Sequence, residues 1–271
     1  MNLDYQSFYR TVMEYYGEYG RHDLPWRKKQ TPYRVAVSEL MLQQTQAQRV
    51  VDFFTTWMKQ FPSWKALASA QQSQVLRYWK GLGYNSRALR LQKLACIVTE
   101  EYKGRLPKEY EKLIALPGIG PYTAGAIRAF AFNEYTPLIE TNIRRIFIHH
   151  FFEDSSEVSD KQIMEVMEGM GNIENPREWY EALMDYGASL PKIVKYNPNV
   201  KSKHYTKQSK FKGSDRELRG KILELLLQES KQTHNSLYEQ LDEKKERIDP
   251  ILNVLEKEGF VSVKKRHVIL R

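Results

Sequence analysis

Leu116-Pro117-Gly118-Ile119-Gly120-Pro121-Tyr122-Thr123-Ala124 is the stretch that decides how this chain folds. Apolar residues recur at helical spacing on both sides of it, in Tyr110–Leu116 and Tyr122–Phe132, so the string is a tight turn between two helices. Gly118 and Gly120 lack the β-carbon that would bar close approach of another backbone. The amides opening the helix near Pro121 are exposed by such a turn and can bind a phosphate.

The helical period extends outward from this hairpin, which occupies about 110–132. It runs through Tyr5–Tyr19, Tyr33–Phe61, Ser73–Trp79 and Arg87–Tyr102 before it, and Asn142–Phe152, Asp160–Met170 and Glu178–Leu190 after it. Strand signals are scarce throughout, so residues 1–191 read as one mainly α domain. Residues 192–213 carry seven lysines (Lys192, Lys195, Lys201, Lys203, Lys207, Lys210 and Lys212), no acidic residue and no apolar period, and read as a basic linker. Interleaved with Tyr196, His204, Tyr205 and Phe211, they could follow a phosphate backbone, and a solvated tether explains them equally well. Residues 214–271 change character. Helices at Arg216–Leu227, near Leu237–Leu241 and at Asp249–Glu258 precede strands Phe260–Val263 and His267–Leu270, which flank Lys264, Lys265 and Arg266. Three helices and then a hairpin with a basic tip is the order of a winged-helix-like module.

Composition narrows the class of partner. Lysine and arginine exceed aspartate and glutamate by 42 − 33, a net charge of +9 that favours polyanions. Hydrophobic residues at 41% and charged residues at 28% exclude a disordered chain. No apolar run approaches the ~18 residues of a membrane span, and no secretion signal opens the sequence. Cys96 is the one cysteine, so neither an intramolecular disulfide nor a cysteine-held metal cluster is expected, and the expected location is a reducing cytoplasm. His149-His150 lacks acidic or cysteine neighbours at ligand spacing, which favours a structural role and no metal.

Two glutamates carry candidate chemistry. Thr31-Pro32 starts a helix on which Glu39 has Val35, Ala36, Leu42 and Gln43 as face neighbours. An apolar face disfavours the carboxylate, raises its pKa and suits it to act as a general acid. On spacing alone, a glutamate snorkelling from the rim of a core is the stronger reading. Glu140 stands just before the Asn142–Phe152 helix, where Thr141 can cap and the positive helix end should keep a carboxylate ionised. One carboxyl pushed towards neutral and one held negative is a division of acid and charge-stabilising roles.

Five strings in order now identify a resemblance: Leu24-Pro25-Trp26-Arg27, Ser38-Glu39-Leu40-Met41-Leu42-Gln43-Gln44-Thr45, Gly81-Leu82-Gly83-Tyr84, the hairpin string, and Asp185-Tyr186-Gly187-Ala188. Residues 24 to about 190 resemble the helix-hairpin-helix (HhH-GPD) DNA glycosylases and, within them, the adenine glycosylases of MutY type. The resemblance implies a two-lobed helical domain with double-stranded DNA across the cleft and a mispaired or damaged base flipped into a pocket. It implies Glu39 as the acid that protonates the leaving purine, with Glu140 and Asn142 beside the sugar. Arg27 would lie near the extruded base, Gln43, Thr45, Gly118, Gly120 and Thr123 would contact DNA, and Gln44, Leu82 and Tyr84 would fill or probe the space left in the duplex. Tyr122 stands where bifunctional relatives carry a Schiff-base lysine, implying a monofunctional enzyme without strong strand cleavage. The resemblance allows a monovalent cation at the hairpin, and a monomer that is cytoplasmic or associated with the nucleoid.

Three departures qualify it. Glu140 replaces the family's aspartate. Ala188 is followed by Ser189-Leu190-Pro191-Lys192 and no cysteine, so the family's iron–sulfur cluster should be absent. The ~58-residue C-terminal module is too short for the family's reader of 8-oxoguanine, and so the opposite base is left open. Excision of thymine or uracil from mispairs with guanine, or a DNA-binding module that has lost catalysis, are the alternatives.

Overall fold

The computed structural model describes residues 4–171, 173–206 and 210–271; Lys207 of the basic run lies outside them. Among the described residues eleven helices lead to the basic segment: α1 (Tyr5–Tyr19), α2 (Pro32–Leu42), α3 (Ala47–Gln60), α4 (Trp64–Ala68), α5 (Gln72–Trp79), α6 (Ser86–Glu100), α7 (Tyr110–Ile114), α8 (Pro121–Phe132), α9 (Thr141–Phe151), α10 (Asp160–Gly169) and α11 (Pro176–Val194). After it come α12 (Asp215–Gln228), β1 (Lys231–Thr233), α13 (His234–Leu241), α14 (Lys245–Lys257), β2 (Val261–Val263) and β3 (His267–Leu270). No helix among the described residues is long and apolar enough to cross a membrane.

The apolar period over Tyr33–Phe61 does not give one helix. It breaks after Leu42, where Gln44 takes φ +55°, and resumes as α3. A run of polar side chains at Gln43-Gln44-Thr45-Gln46 offers nothing to bury, and the turn it forms separates α2 from α3.

The chain clusters into two compact units that interleave in sequence. One unit combines residues up to Phe54 with those from Arg105 through 206. In it α11 packs on α9 and α1, and α2 packs on α8. Phe8 of α1 meets the edges of Phe147, Phe151 and Trp179, with ring centroids 5.4, 4.8 and 5.8 Å away, so one aromatic cluster ties α1, α9 and α11. Gly187 lets α9 and α11 touch: a β-carbon there would stand 2.3 Å from the Asn142 carbonyl oxygen.

Much of the basic segment belongs to this unit and does not act as a tether. Lys192 lies on α11, which continues through Pro191. Proline cannot donate to the carbonyl four residues back, and Arg145 Nη1 takes that Gly187 oxygen at 2.5 Å. A turn of 3-10 helix at Pro198–Lys201 then packs on α9, where Asn199 Nδ2 donates to the Thr141 carbonyl at 2.8 Å. The Val158 amide donates to the Lys201 carbonyl at 2.8 Å.

The second unit combines Thr55–Gly104 with the chain from residue 210 onwards. Trp57 anchors its helical part, 4.8 Å from Phe61 and 5.5 Å from Trp79 between centroids. In its C-terminal part α12, α13 and α14 bury Leu218, Ile222, Leu237, Ile248 and Leu255 beside an antiparallel sheet ordered β1-β3-β2. The helices and hairpin lie where the sequence places them, with two differences. β1 has the polar sequence Lys-Gln-Thr and gives no strand signal, and α14 begins at Lys245, ahead of Asp249, with Pro250 inside it. Lys264, Lys265 and Arg266 form the exposed hairpin tip.

Candidate active site

Glu39 owes its position to α2. The Thr31 hydroxyl caps the helix by accepting from the Arg34 amide at 3.4 Å, and Pro32 occupies its first turn. Tyr33 and every residue from Val35 to Met41 are buried, leaving Glu39 only 5% exposed. Tyr122, in the first turn of α8, donates its hydroxyl to Glu39 Oε2 at 2.9 Å. Burial, helped by the negative charge of Glu140, pushes the Glu39 carboxyl up to about 7 against the opposing pull of the Tyr122 bond and Arg27. Burial and the same two carboxylates drive the Tyr122 phenol well above its ordinary range, so it stays a donor.

Glu140 caps α9 with its own side chain, in place of the Thr141 cap the sequence suggests. Its Oε1 accepts from the amides of Asn142 at 2.6 Å and Ile143 at 2.8 Å, and Oε2 accepts from Asn142 Nδ2 at 3.3 Å. A glutamate is one methylene longer than the usual capping aspartate, and its carboxylate folds back over the helix start. The expected depression of its pKa is not what the structure gives. Burial outweighs the amides and the charges of Arg145 and Arg144, and the Glu140 carboxyl is raised. The contrast between the two glutamates therefore lies in their hydrogen bonds: Glu140 accepts three N–H donors, an arrangement that suits the anion. Asn142 relays the arrangement onward, accepting from Arg145 Nη1 at 3.0 Å.

A pocket opens beside Glu39, with Trp26, Leu42, Phe130 and Met184 as apolar walls and Arg27, Gln30 and Glu181 as polar ones. Arg27 is fixed from behind, donating to Asp185 Oδ2 at 2.7 Å and Oδ1 at 2.9 Å, while Arg21 donates to the same carboxylate through its amide and Nε, both at 2.7 Å. Burial pushes Asp185 up, but the guanidinium groups of Arg27 and Arg21 more than offset it and hold the carboxyl below its usual range. That is the work of the aspartate in the Asp-Tyr-Gly-Ala string. Glu181 is a site residue the sequence reading missed. Tyr16 donates to its Oε2 at 2.7 Å and Gln30 Nε2 to its Oε1 at 2.5 Å. A polar residue four positions before Asp185 on the same helix face was the available signal.

The other expected contact residues divide. Gln43 reaches Thr123, its Nε2 3.4 Å from Oγ1, and Thr45 Oγ1 donates to the Gln43 carbonyl at 3.3 Å. Gln44 is exposed. Gly118 requires its glycine, at φ +82°, whereas Gly120 is the N-cap of α8 with open space where a β-carbon would stand and no side-chain cap. Tyr84 is exposed at 39%, but Leu82, at 6%, belongs to the core of its unit and is not offered outward. His149 and His150 hydrogen-bond Tyr196 and Tyr186, each at 3.1 Å, and burial lowers His150 to about 4.

The site thus joins a buried acid, Glu39, through Tyr122 to the uncapped, glycine-opened start of α8, with the charge of Glu140 acting on both. Residues 37–171 match the HhH-GPD superfamily of base excision DNA repair proteins. An adenine DNA glycosylase of Mycobacterium tuberculosis is 32% identical over 225 residues, covering 75% of this chain and 73% of the relative. An adenine DNA glycosylase of Buchnera aphidicola is 36% identical over 192 residues, covering 70% of this chain and 54% of the relative, so the chain spans about half of that relative's length. Among solved structures, a thermostable thymine-DNA glycosylase superposes with a TM-score of 0.59 at 24% identity, covering 68% of this chain and 86% of the other. The chain belongs to the HhH-GPD superfamily.

Proposed function

We propose that this protein is a monofunctional DNA N-glycosylase of base excision repair that removes adenine from mispairs, with guanine or 8-oxoguanine opposite. One observation carries the reading: Glu39, buried, raised to about 7 and bonded to Tyr122, borders a pocket with polar groups at its rim. The similarity to adenine glycosylases supports adenine as the base. The likeness to the thymine glycosylase structure speaks for the fold alone.

In this reading a flipped adenine enters the pocket with its exocyclic amine towards an acceptor oxygen of Glu181. Protonated Glu39 gives its proton to a ring nitrogen as the glycosidic bond breaks, and the Glu140 carboxylate steadies the positive charge that develops on the sugar. Water completes the hydrolysis. Tyr122 offers no amine for a Schiff base and donates to Glu39 instead. The amides opening α8, which has no side-chain cap, would hold a phosphate of double-stranded DNA. The iron–sulfur cluster common in the family does not fit this chain. Its only cysteine, Cys96, lies on α6, and the polypeptide after Ala188 continues as helix and then packs Asn199 against the start of α9. We assign the enzyme as a cluster-free cytoplasmic monomer.

Substitution of Glu39 by Gln tests the reading. The variant is expected to bind a mispaired duplex as the wild type does and to lose about 10²–10⁴-fold in single-turnover base release. Near-normal release would overturn the role of Glu39.

A further inference from the structure

The loop Gly81-Leu82-Gly83-Tyr84 holds three residues in the left-handed region: Gly81 at φ +104°, Gly83 at +74° and Tyr84 at +46°. Tyrosine adopts that backbone only where surroundings impose it. Arg87, 5% exposed, imposes it here. Its Nη2 donates to the carbonyls of Leu82 at 3.2 Å and Gly83 at 3.0 Å, its Nε reaches the Tyr84 carbonyl at 3.4 Å, and its guanidinium lies 5.6 Å from the Tyr84 ring centroid. Trp79 Nε1 adds a bond to the Gly83 carbonyl at 3.1 Å. The backbone of Tyr84 is thus locked, while the residue stays 39% exposed.

The ring is held from a different part of the sequence. Arg216, in the first turn of α12, donates from Nη1 to the Tyr84 hydroxyl at 2.7 Å, with its guanidinium 5.9 Å from the ring centroid. The C-terminal module is fastened beside this loop by three further contacts within the same unit. Lys80 Nζ pairs with Glu224 at 2.6 Å, Arg77 Nη2 donates to the Leu227 carbonyl at 3.3 Å, and Gln72 Nε2 donates to the Gly259 carbonyl at 2.9 Å. Arg216 therefore stands on an anchored helix and fixes the far end of an aromatic side chain whose near end Arg87 already fixes.

We propose that Arg216 is a positioning residue for Tyr84, through which the C-terminal module sets the ring that stacks on the unpaired base opposite the excised one. This rests on the glycosylase reading above. An exposed aromatic ring stacks on any base, and one whose orientation is set in advance loses less freedom on binding. A guanidinium beside it also adds positive charge where the strand passes. The C-terminal module would then help hold the unpaired base through one side chain.

The test uses the full chain and fluorescence anisotropy. Two duplexes are compared, one with a tetrahydrofuran abasic analogue opposite guanine and one fully paired. Arg216→Ala is expected to weaken binding of the abasic duplex about fivefold, the effect of one positioned hydrogen bond, and to leave the paired duplex within about twofold. Tyr84→Phe, which removes the same bond from its other end, should give a similar loss, and Arg216→Ala should have no effect in a Tyr84→Ala background. Equal weakening of both duplexes, or a loss that persists without Tyr84, would overturn the proposal and leave Arg216 as a phosphate contact or a structural residue. A wild-type chain with no preference for the abasic duplex would overturn the glycosylase reading and this proposal with it.

Discussion

The Tyr122 hydroxyl donates to Glu39 Oε2 at 2.9 Å, joining the helix after the hairpin turn to the buried acid of α2. The direction of that bond matters. Tyr122 is raised well above the ordinary phenol range and keeps its proton, so the bond favours the Glu39 anion and opposes the burial that favours the neutral acid. The net position is about 7, where a carboxyl can both hold and release a proton near neutral pH.

Glu39 must be protonated to act as an acid, so base release should fall as pH rises through a midpoint near 7, and fall again in acid as the raised Glu140 carboxyl takes up its proton. The same shift governs stability. A folded-state pKa above the unfolded value means the contribution of Glu39 is intact below about 4.5 and is lost as pH rises through about 7. Glu39→Gln should therefore be more stable than the wild type at pH 8.5, by about 2–3 kcal/mol, and the gap should close by pH 4.5. Urea unfolding at both pH values checks this; a gap that widens in acid would contradict it.

Tyr122→Phe removes the one hydrogen bond that lowers Glu39. The midpoint of the pH–rate profile should move upward, because burial then acts with less opposition. A midpoint that moves down would show that Tyr122 does not act on Glu39 in this way.

Glu140→Gln keeps an oxygen for the amides of Asn142 and Ile143 but removes the charge. Stability should change by less than about 1 kcal/mol because the cap survives. Base release should fall about 10²–10³-fold, the usual scale for losing a preorganised electrostatic partner. The Glu39 midpoint should also shift down, since the Glu140 charge is one of the two influences raising it. Unfolding melts and a pH profile on the same variant separate the two effects.

How far the sequence carried this picture depends on whether a signal was local. The hairpin was legible because Pro-Gly-Ile-Gly-Pro dictates its own turn; Glu39 stood out as an acid on an apolar helix face, but its spacing alone favours a snorkelling glutamate, and only the family resemblance points to an acid. Glu181 was not legible, since only the tertiary approach of Tyr16 and Gln30 turns a polar position of α11 into part of a pocket. Glu140 was found as a helix-start acid but with the wrong cap and the wrong direction of pKa shift, because burial there comes from other parts of the fold. Lysines at 192–203 suggested a tether, whereas Asn199 and Arg145 fasten that stretch to α9 through partners far away in sequence. The contact of Arg216 with Tyr84 spans 132 residues and has no local sign.

Gly187→Ala would set a β-carbon 2.3 Å from the Asn142 carbonyl oxygen and force α9 and α11 apart. A loss of about 1–3 kcal/mol is expected from such overpacking, with a drop in base release because Asn142 bonds Glu140. Unchanged urea midpoints would show that the two helices can separate at no cost.

The most direct measurement is single-turnover base release by the wild-type chain, with alkali added afterwards to reveal abasic sites. The duplexes carry adenine opposite 8-oxoguanine, guanine or cytosine, and thymine or uracil opposite guanine. The expected result is release of adenine opposite 8-oxoguanine or guanine, little opposite cytosine, and no strand cleavage before alkali. Release of the pyrimidines alone, or tight binding to every duplex with no release from any, would contradict it.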